Sequence, residues 1–280
     1  MPNALRGPVG VFDSGYGGLT ILRKIREHLP DYDYIYLGDN ARAPYGTRSY
    51  DVVYRFTLEA VRYLFSCGCP LVILACNTAS AKALRTIQQC DLTCIDPRRR
   101  VLGVIRPTVE ELGKVSDGGH VGVLGTPGTV NSGSYDIEIE KLWPRMKVTA
   151  HGCPMWVPLV ENGEAQSPGA DYFVKKEIEA VTSADPQIDT LVLACTHYPL
   201  LMDKIRLYTP GEVKILAQGD IVAASLADYL RRHPEMDMML TRGGTARFLT
   251  TENPEKFSPM AAMFMGHHVE AAHAEIDRGV

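Results

Sequence analysis

Two cysteines in this sequence keep nearly the same local company. Leu71 to Ser80 reads LVILACNTAS and Leu191 to Pro199 reads LVLACTHYP, each an apolar run ending in Ala-Cys and two polar residues. A thiol at the mouth of a strand can fill core, ligate a metal, attack an electrophile or carry a proton. Its ordinary pKa near ~8.5 lies close enough to neutrality for local surroundings to decide its charge. A nucleophile needs one attacking sulfur, an orienting base and an oxyanion site, which leaves a second copy unexplained. An opposed pair uses both copies: one thiolate removes a proton from one face of a carbon while the other thiol delivers one to the opposite face. Cys76 and Cys195 are therefore the candidate catalytic pair.

The neighbours narrow the substrate. Asn77 and Thr78 follow the first cysteine, Thr196 and His197 follow the second, and Asp13 with Ser14 closes the run VGVFD. Amide, hydroxyl, imidazole and carboxylate together suit a small molecule bearing an ammonium and carboxylates, an amino acid. Asp13 is expected to serve Cys76 and His197 to serve Cys195, although alone the first could cap a helix and the second could be structural. Thr78 and Thr196 stand as cap-like donors beside the sulfurs. The loop SGYGGL (Ser14 to Leu19) offers N–H groups to an anion. Thr20 stands where the third glycine of a dinucleotide fingerprint would fall, which favours a carboxylate ligand over a pyrophosphate. A turnover near ten per second means a barrier of roughly 16 kcal/mol, beyond an exposed thiolate acting on a Cα proton. Asn77, Thr78, Thr126, Thr129 and Thr196 are the candidate donors that would stabilise the charge developing on the substrate carboxylate.

These residues need a scaffold of strand ends. Short apolar runs at Val9 to Asp13, Asp33 to Asp39, Leu71 to Ala75, Val101 to Ile105, Val121 to Gly125, Lys147 to Ala150, Asp189 to Ala194 and Val213 to Leu216 read as buried strands. Helical spacing lies between them, as in Leu22, Ile25 and Leu29, or Val53, Phe56, Ala60 and Leu64. Alternating strand and helix predict an α/β fold with parallel sheets flanked by helices. The chain also looks duplicated: VGVFDSGYGG at Val9 aligns with VGVLGTPGTV at Val121, each ahead of its cysteine run. Between them lie the Pro-containing turns RAPYG (Arg42 to Gly46) and WVPLVENG (Trp156 to Gly163). Two pseudo-symmetric lobes follow, with the active site at their interface, beyond the carboxyl ends of the strands.

Composition excludes several classes. The 280 residues are 45% apolar and 22% charged with a net charge of −4, a balance that gives no pull toward nucleic acid or an anionic membrane. No apolar run approaches the ~20 residues of a membrane helix, and no leader is evident, so a cytosolic location is expected. Seven cysteines, an odd count, predict reduced thiols. Cys67 and Cys69, like Cys90 and Cys94, lack zinc-knuckle spacing, so no metal is expected. These four and Cys153 read as inert buried filler, and His267, His268, His273 and the run Pro97 to Arg100 as solvated surface.

FDSGYGGL, GDNARAPYG, ACNTAS, CPMWVPLVENGE, ACTHYPLL and the late FLTT with PEKF, in this order over nearly the whole chain, resemble the glutamate racemases of the aspartate/glutamate racemase family. The resemblance implies a cofactor-independent enzyme of two α/β lobes that supplies D-glutamate for peptidoglycan in the bacterial cytoplasm, as a homodimer. It places the catalytic cysteines on Cys76 and Cys195, substrate contacts on Asp13, Ser14, Tyr45, Gly46, Asn77, Thr78, Thr196 and His197, and an acid on Glu161. Tyr45 could instead pack its turn and leave the contact to backbone near Gly46. His197, where aspartate racemases tend to carry an acid, favours glutamate. Ala194 and Arg106 depart from the common glycine and acid; the second should concern the lobe connection. Few residues precede the first strand, so activation by a cell-wall precursor through an N-terminal extension is not expected. With the family as a guide, residues 1–103 and 217–280 form the first lobe and 104–216 the second. The alternatives are another amino-acid racemase of the family, a cysteine hydrolase using Cys195 with His197, and a nucleotide-binding module with Asp39 as ribose partner.

Overall fold

In the computed structural model, which describes residues 5–276, the apolar runs become short strands, although Lys147–Gly152, expected to be buried, is only half-buried. They are β1 (Val9–Asp13), β2 (Tyr34–Gly38), β3 (Leu71–Leu74), β4 (Arg100–Gly103), β5 (His120–Gly125), β6 (Lys147–Gly152), β7 (Thr190–Ala194), β8 (Lys214–Leu216), β9 (Ala246–Thr250) and β10 (Ala271–His273). One sheet of six strands has the order β10-β9-β2-β1-β3-β4, and a second of four has the order β6-β5-β7-β8. Neighbouring strands pair in parallel in both sheets. The β-branched and aliphatic residues of β1, β3, β5 and β7 are buried because helices cover both faces of a parallel sheet.

Register brings the chemistry together. In the first sheet Phe12 pairs with Leu74, so Asp13 and Ser14 leave β1 beside Ala75 and Cys76. In the second Gly125 pairs with both Ala194 and Gly152, so Thr126, Cys195 and Cys153 leave three neighbouring strands at one edge. The chain then returns from the second sheet to the first. The Gln218–Arg232 helix packs against the Gly18–His28 helix, burying Val222, Ala223 and Leu226 there, before β9 and β10 extend the first sheet beyond β2.

Two expected elements differ. The strand expected at Val101 to Ile105 ends at Gly103, and Ile105 already opens the Ile105–Val115 helix, whose buried face holds Val109 and Leu112. The expected second-lobe turn is largely the Trp156–Glu161 helix, with Trp156 fully buried and set edge-on against Tyr198. Trp156, Val157 and Val160 fall at helical spacing, and the proline lies in the first turn, where its missing N–H costs nothing. Among the described residues no helix is long and apolar enough to cross a membrane, and the cysteines are free thiols.

Candidate active site

A cavity of about 320 Å³ opens between the two sheets at their carboxyl ends. Ser14, Tyr45, Gly46, Cys76, Asn77 and Thr78 line it from the first lobe. Thr126, Glu161, Cys195, Thr196 and His197 line it from the second. Both cysteines thus face one space, each almost fully buried at 6% exposure. A larger cleft of about 710 Å³ elsewhere between the lobes, lined by Arg85, Arg106, Glu110 and Lys141 among others, contains neither cysteine.

Cys76 is itself the N-cap of the Asn77–Lys82 helix, its sulfur accepting the Ala79 N–H at 3.4 Å, while Thr78, expected to act as a cap-like donor, lies inside the helix. Ser14 Oγ lies 3.4 Å from the same sulfur. Asp13 is buried, but its Oδ2 accepts the Gly15 N–H at 2.9 Å, and no hydrogen bond joins it to Cys76 among the described residues. Its Oδ1 has no hydrogen-bond partner there. Burial raises the Asp13 pKa against the opposing charge of His197. Burial, and then the charge of Asp13, push the Cys76 thiol up to about 12, so this sulfur rests protonated. Asp13 influences Cys76 through its field, while Ser14 makes the contact.

The other wall is arranged differently. His197 Nδ1 lies 3.8 Å from the Cys195 sulfur and its Nε2 lies 2.9 Å from Glu161 Oε1. Burial alone would lower the imidazole pKa, but hydrogen bonds to Cys195 and Glu161 outweigh it and raise His197 to about 10. At neutral pH His197 is an imidazolium, donating from both nitrogens and turning positive charge toward Cys195. No helix follows Cys195 directly: a 3-10 turn spans Tyr198–Leu201 and the α-helix begins at Met202.

The hydroxyls form a cluster across the lobes. Thr78 Oγ1 lies 3.0 Å from Thr126 Oγ1 and 3.2 Å from Thr129 Oγ1, and Thr126 caps its own short helix by accepting the Thr129 N–H. Thr129 stands behind Thr126 and is buried. At the rim the Gly128 N–H donates to the Gly46 carbonyl at 2.7 Å, joining the lobes through main chain. A Cβ on Gly128 would sit 2.6 Å from that carbonyl oxygen, so the approach requires glycine.

Several expectations are corrected by these contacts. In the SGYGGL loop the Gly15 N–H donates to the Asp13 carboxyl at 2.9 Å and the Leu19 N–H to the Tyr16 carbonyl at 3.0 Å, so these two are not held out to a ligand. Its glycines allow close packing instead, since a Cβ on Gly17 would fall 2.1 Å from Thr196 Oγ1 and 2.5 Å from His197 Nδ1. The Tyr45 ring is buried and its hydroxyl donates to Asp39, which leaves the backbone near Gly46 to face the cavity. Asp39 is also held by Arg42 at 2.7 Å and Thr251 at 2.8 Å, so it is not free for a ribose. Cys90 and Cys94 are exposed and Cys67 half-buried, not core filler, whereas Cys69 is buried. Cys153, also read as filler, lines the cavity. Arg106 pairs with Glu110 on its own helix and Glu138 on the neighbouring one, and it also lines the larger cleft between the lobes. Arg99, in the run read as solvated, donates to the Phe65 and Cys69 carbonyls. The cavity residues that sequence reasoning did not select include Pro127, Val157, Pro158 and Asn162.

Comparison with known proteins agrees with this architecture. The family model Asp/Glu/Hydantoin racemase matches residues 17–226. The glutamate racemase of Roseobacter denitrificans is 39% identical over 277 residues, covering 95% of this chain and 99% of the relative. That of Dinoroseobacter shibae is 40% identical over 272 residues, covering 94% and 97%. Among solved structures, a glutamate racemase isoform from Bacillus anthracis superposes with a TM-score of 0.87 at 32% identity, covering 96% of this chain and 98% of that one. The Francisella tularensis glutamate racemase in complex with D-glutamate gives 0.84 at 32% identity, covering 98% of each. Similarity of this extent, on a fold that ends each of its two sheets in a cysteine, makes the chain a member of the Asp/Glu/hydantoin racemase family, among its glutamate racemases.

Proposed function

We propose that this chain interconverts L- and D-glutamate by proton transfer between substrate Cα and the sulfurs of Cys76 and Cys195, without a cofactor. The observation that carries the reading is the presence of both sulfurs on opposite lobes of one cavity. In one direction the Cys195 thiolate, facing the His197 imidazolium, takes the Cα proton, and the Cys76 thiol gives its proton to the opposite face. Cα then carries hydrogen again with inverted configuration, Cys195 is a thiol and Cys76 a thiolate. The reverse reaction exchanges the roles.

Glutamate as substrate is supported by the relatives, one of them solved with D-glutamate. Asn77, Thr78, Thr126 and Thr196 hold the carboxylates, with Thr129 supporting the hydroxyl cluster. Ser14 and the backbone at Gly46 complete the contacts, and Asp13, Glu161 and His197 set the charge around the sulfurs. We take residues 1–103 with 217–280 as the first lobe and 104–216 as the second. The setting is the bacterial cytoplasm, with D-glutamate for peptidoglycan as product and a homodimer as the assembly. The Cys195–His197–Glu161 contacts also suit a cysteine hydrolase, but that reading leaves Cys76 on the opposite wall of the same cavity without a role.

Circular dichroism of purified protein with L-glutamate, and separately L-aspartate, without added cofactor, tests the proposal. Signal decay to zero with glutamate alone is expected. An unchanged glutamate signal, or equal decay with aspartate, would overturn the substrate or the reaction.

A further inference from the structure

Behind the cavity, Asn77 belongs to a buried polar network whose direction is fixed by one carbonyl. The Val104 carbonyl can only accept, and it takes the Thr108 hydroxyl hydrogen at 2.7 Å. Thr108 Oγ1 is then an acceptor toward Gln218, 2.8 Å away, so Gln218 turns its amide nitrogen to that side. The same nitrogen lies 3.0 Å from the Tyr135 hydroxyl. Gln218 Oε1 therefore accepts the Asn77 Nδ2–H at 2.6 Å, its Nε2 also reaches Asn77 Oδ1 at 3.2 Å, and the Tyr135 hydroxyl donates to Asn77 Oδ1 at 2.8 Å. Asn77, Thr108, Tyr135 and Gln218 are each 3% exposed or less.

This ordering decides what Asn77 can offer. Its Oδ1 is taken by donors, and one of the two Nδ2 hydrogens by Gln218, while the residue lines the cavity. The group left for a substrate is the second N–H, a donor suited to a carboxylate on which charge develops. Asn77 adjoins Cys76, whereas Thr108 and Tyr135 come from helices beside the second sheet and Gln218 opens the helix that returns to the first.

We infer that Gln218 and Tyr135 are positioning residues that lock the Asn77 amide in the orientation presenting N–H rather than C=O to the substrate carboxylate, Gln218 from the helix that returns to the first lobe and Tyr135 from across the lobe boundary. The inference rests on the racemase reading above. With either partner removed, the amide can rotate and turn its oxygen toward the carboxylate, which weakens the transition state more than the ground state.

The test uses Gln218→Met, which keeps length and apolar bulk, Tyr135→Phe, which removes one oxygen, and Asn77→Ala, alone and combined with Gln218→Met. Each is assayed for glutamate racemisation, with thermal unfolding as the check on folding. About a tenfold to hundredfold loss of kcat is expected for Gln218→Met and a smaller loss for Tyr135→Phe, with KM changed less than threefold. In the Asn77→Ala background Gln218→Met should lower kcat no further, an interaction that loss of packing would not produce. The inference is overturned if both single variants fold and keep kcat within twofold of the parent, or if the Gln218 and Asn77 losses multiply. Should Gln218→Met not fold, Tyr135→Phe alone decides by the same kcat criterion. A parent that does not turn over glutamate would sink the racemase reading, and this inference with it.

Discussion

The walls holding Cys76 and Cys195 come from matching sequence patterns yet hold their sulfurs in opposite electrostatic settings. Burial and the charge of Asp13 keep Cys76 a thiol, against the helix cap and the Ser14 hydroxyl, which favour the thiolate. Cys195 precedes a 3-10 turn and faces an imidazolium anchored by Glu161. A duplicated backbone thus supplies symmetric geometry without symmetric charge. A two-base reaction needs one wall loaded with a proton, and the Cys76 wall meets that condition.

Removing either sulfur tests the comparison most severely. Cys76→Ala and Cys195→Ala should each lower racemisation by about 10²–10⁴-fold, measured by circular dichroism. Exchange of the Cα hydrogen in D2O, followed by NMR, should survive for one enantiomer in each variant. A parent-like rate in either would show that a single wall suffices.

Next in size is Gly17→Ala, which drives a Cβ against Thr196 and His197 and so disturbs only the Cys195 wall. About a hundredfold loss of kcat is expected, with a stability loss of about 1–3 kcal/mol by chemical denaturation. A parent-like variant would mean that the turn can move without harm to the chemistry.

His197→Asn should cost roughly tenfold to a hundredfold and alter the pH profile. The imidazolium is present below about pH 10, so parent activity should fall as pH rises through that value, a limb the variant should lack. Stability follows the same sign. The folded pKa lies above the ordinary 6.5, so the histidine's contribution is complete below 6.5 and is lost as pH rises toward about 10. Its slope is at most about 1.4 kcal/mol per pH unit. Parallel stability curves for parent and variant between those values would refute the imidazolium.

Arg106→Ala marks the bottom of the scale. Its ion pairs are solvent-exposed and distant from both walls, so activity should be unchanged and stability altered by less than about 1 kcal/mol. A tenfold fall in kcat would tie this helix pair to the site.

The strands carrying the cysteines were legible because strands buried on both faces must be continuously apolar, and LVILA and LVLA stand out for that reason. The duplication made a shared cavity foreseeable. What escaped was decided by long-range packing. SGYGGL has an anion-loop sequence, but Asp13 claims the N–H of Gly15. Gln218 and Tyr135 sit in ordinary helical sequence, and only the meeting of three segments makes them partners of Asn77. Cys153 was within reach: it stands one residue past β6, where strand-end reasoning applied to KVTAHG would have put it in the cleft. Cys90 and Cys94 could not be told from core cysteines because the short helical turns around them show no clean apolar face.

The main-chain contact between Gly128 and Gly46 constrains which changes the lobe junction tolerates. The link joins the lobes through atoms that every residue possesses, so side-chain replacement alone cannot remove the donor or the acceptor, whereas any side chain at Gly128 would push the two loops apart.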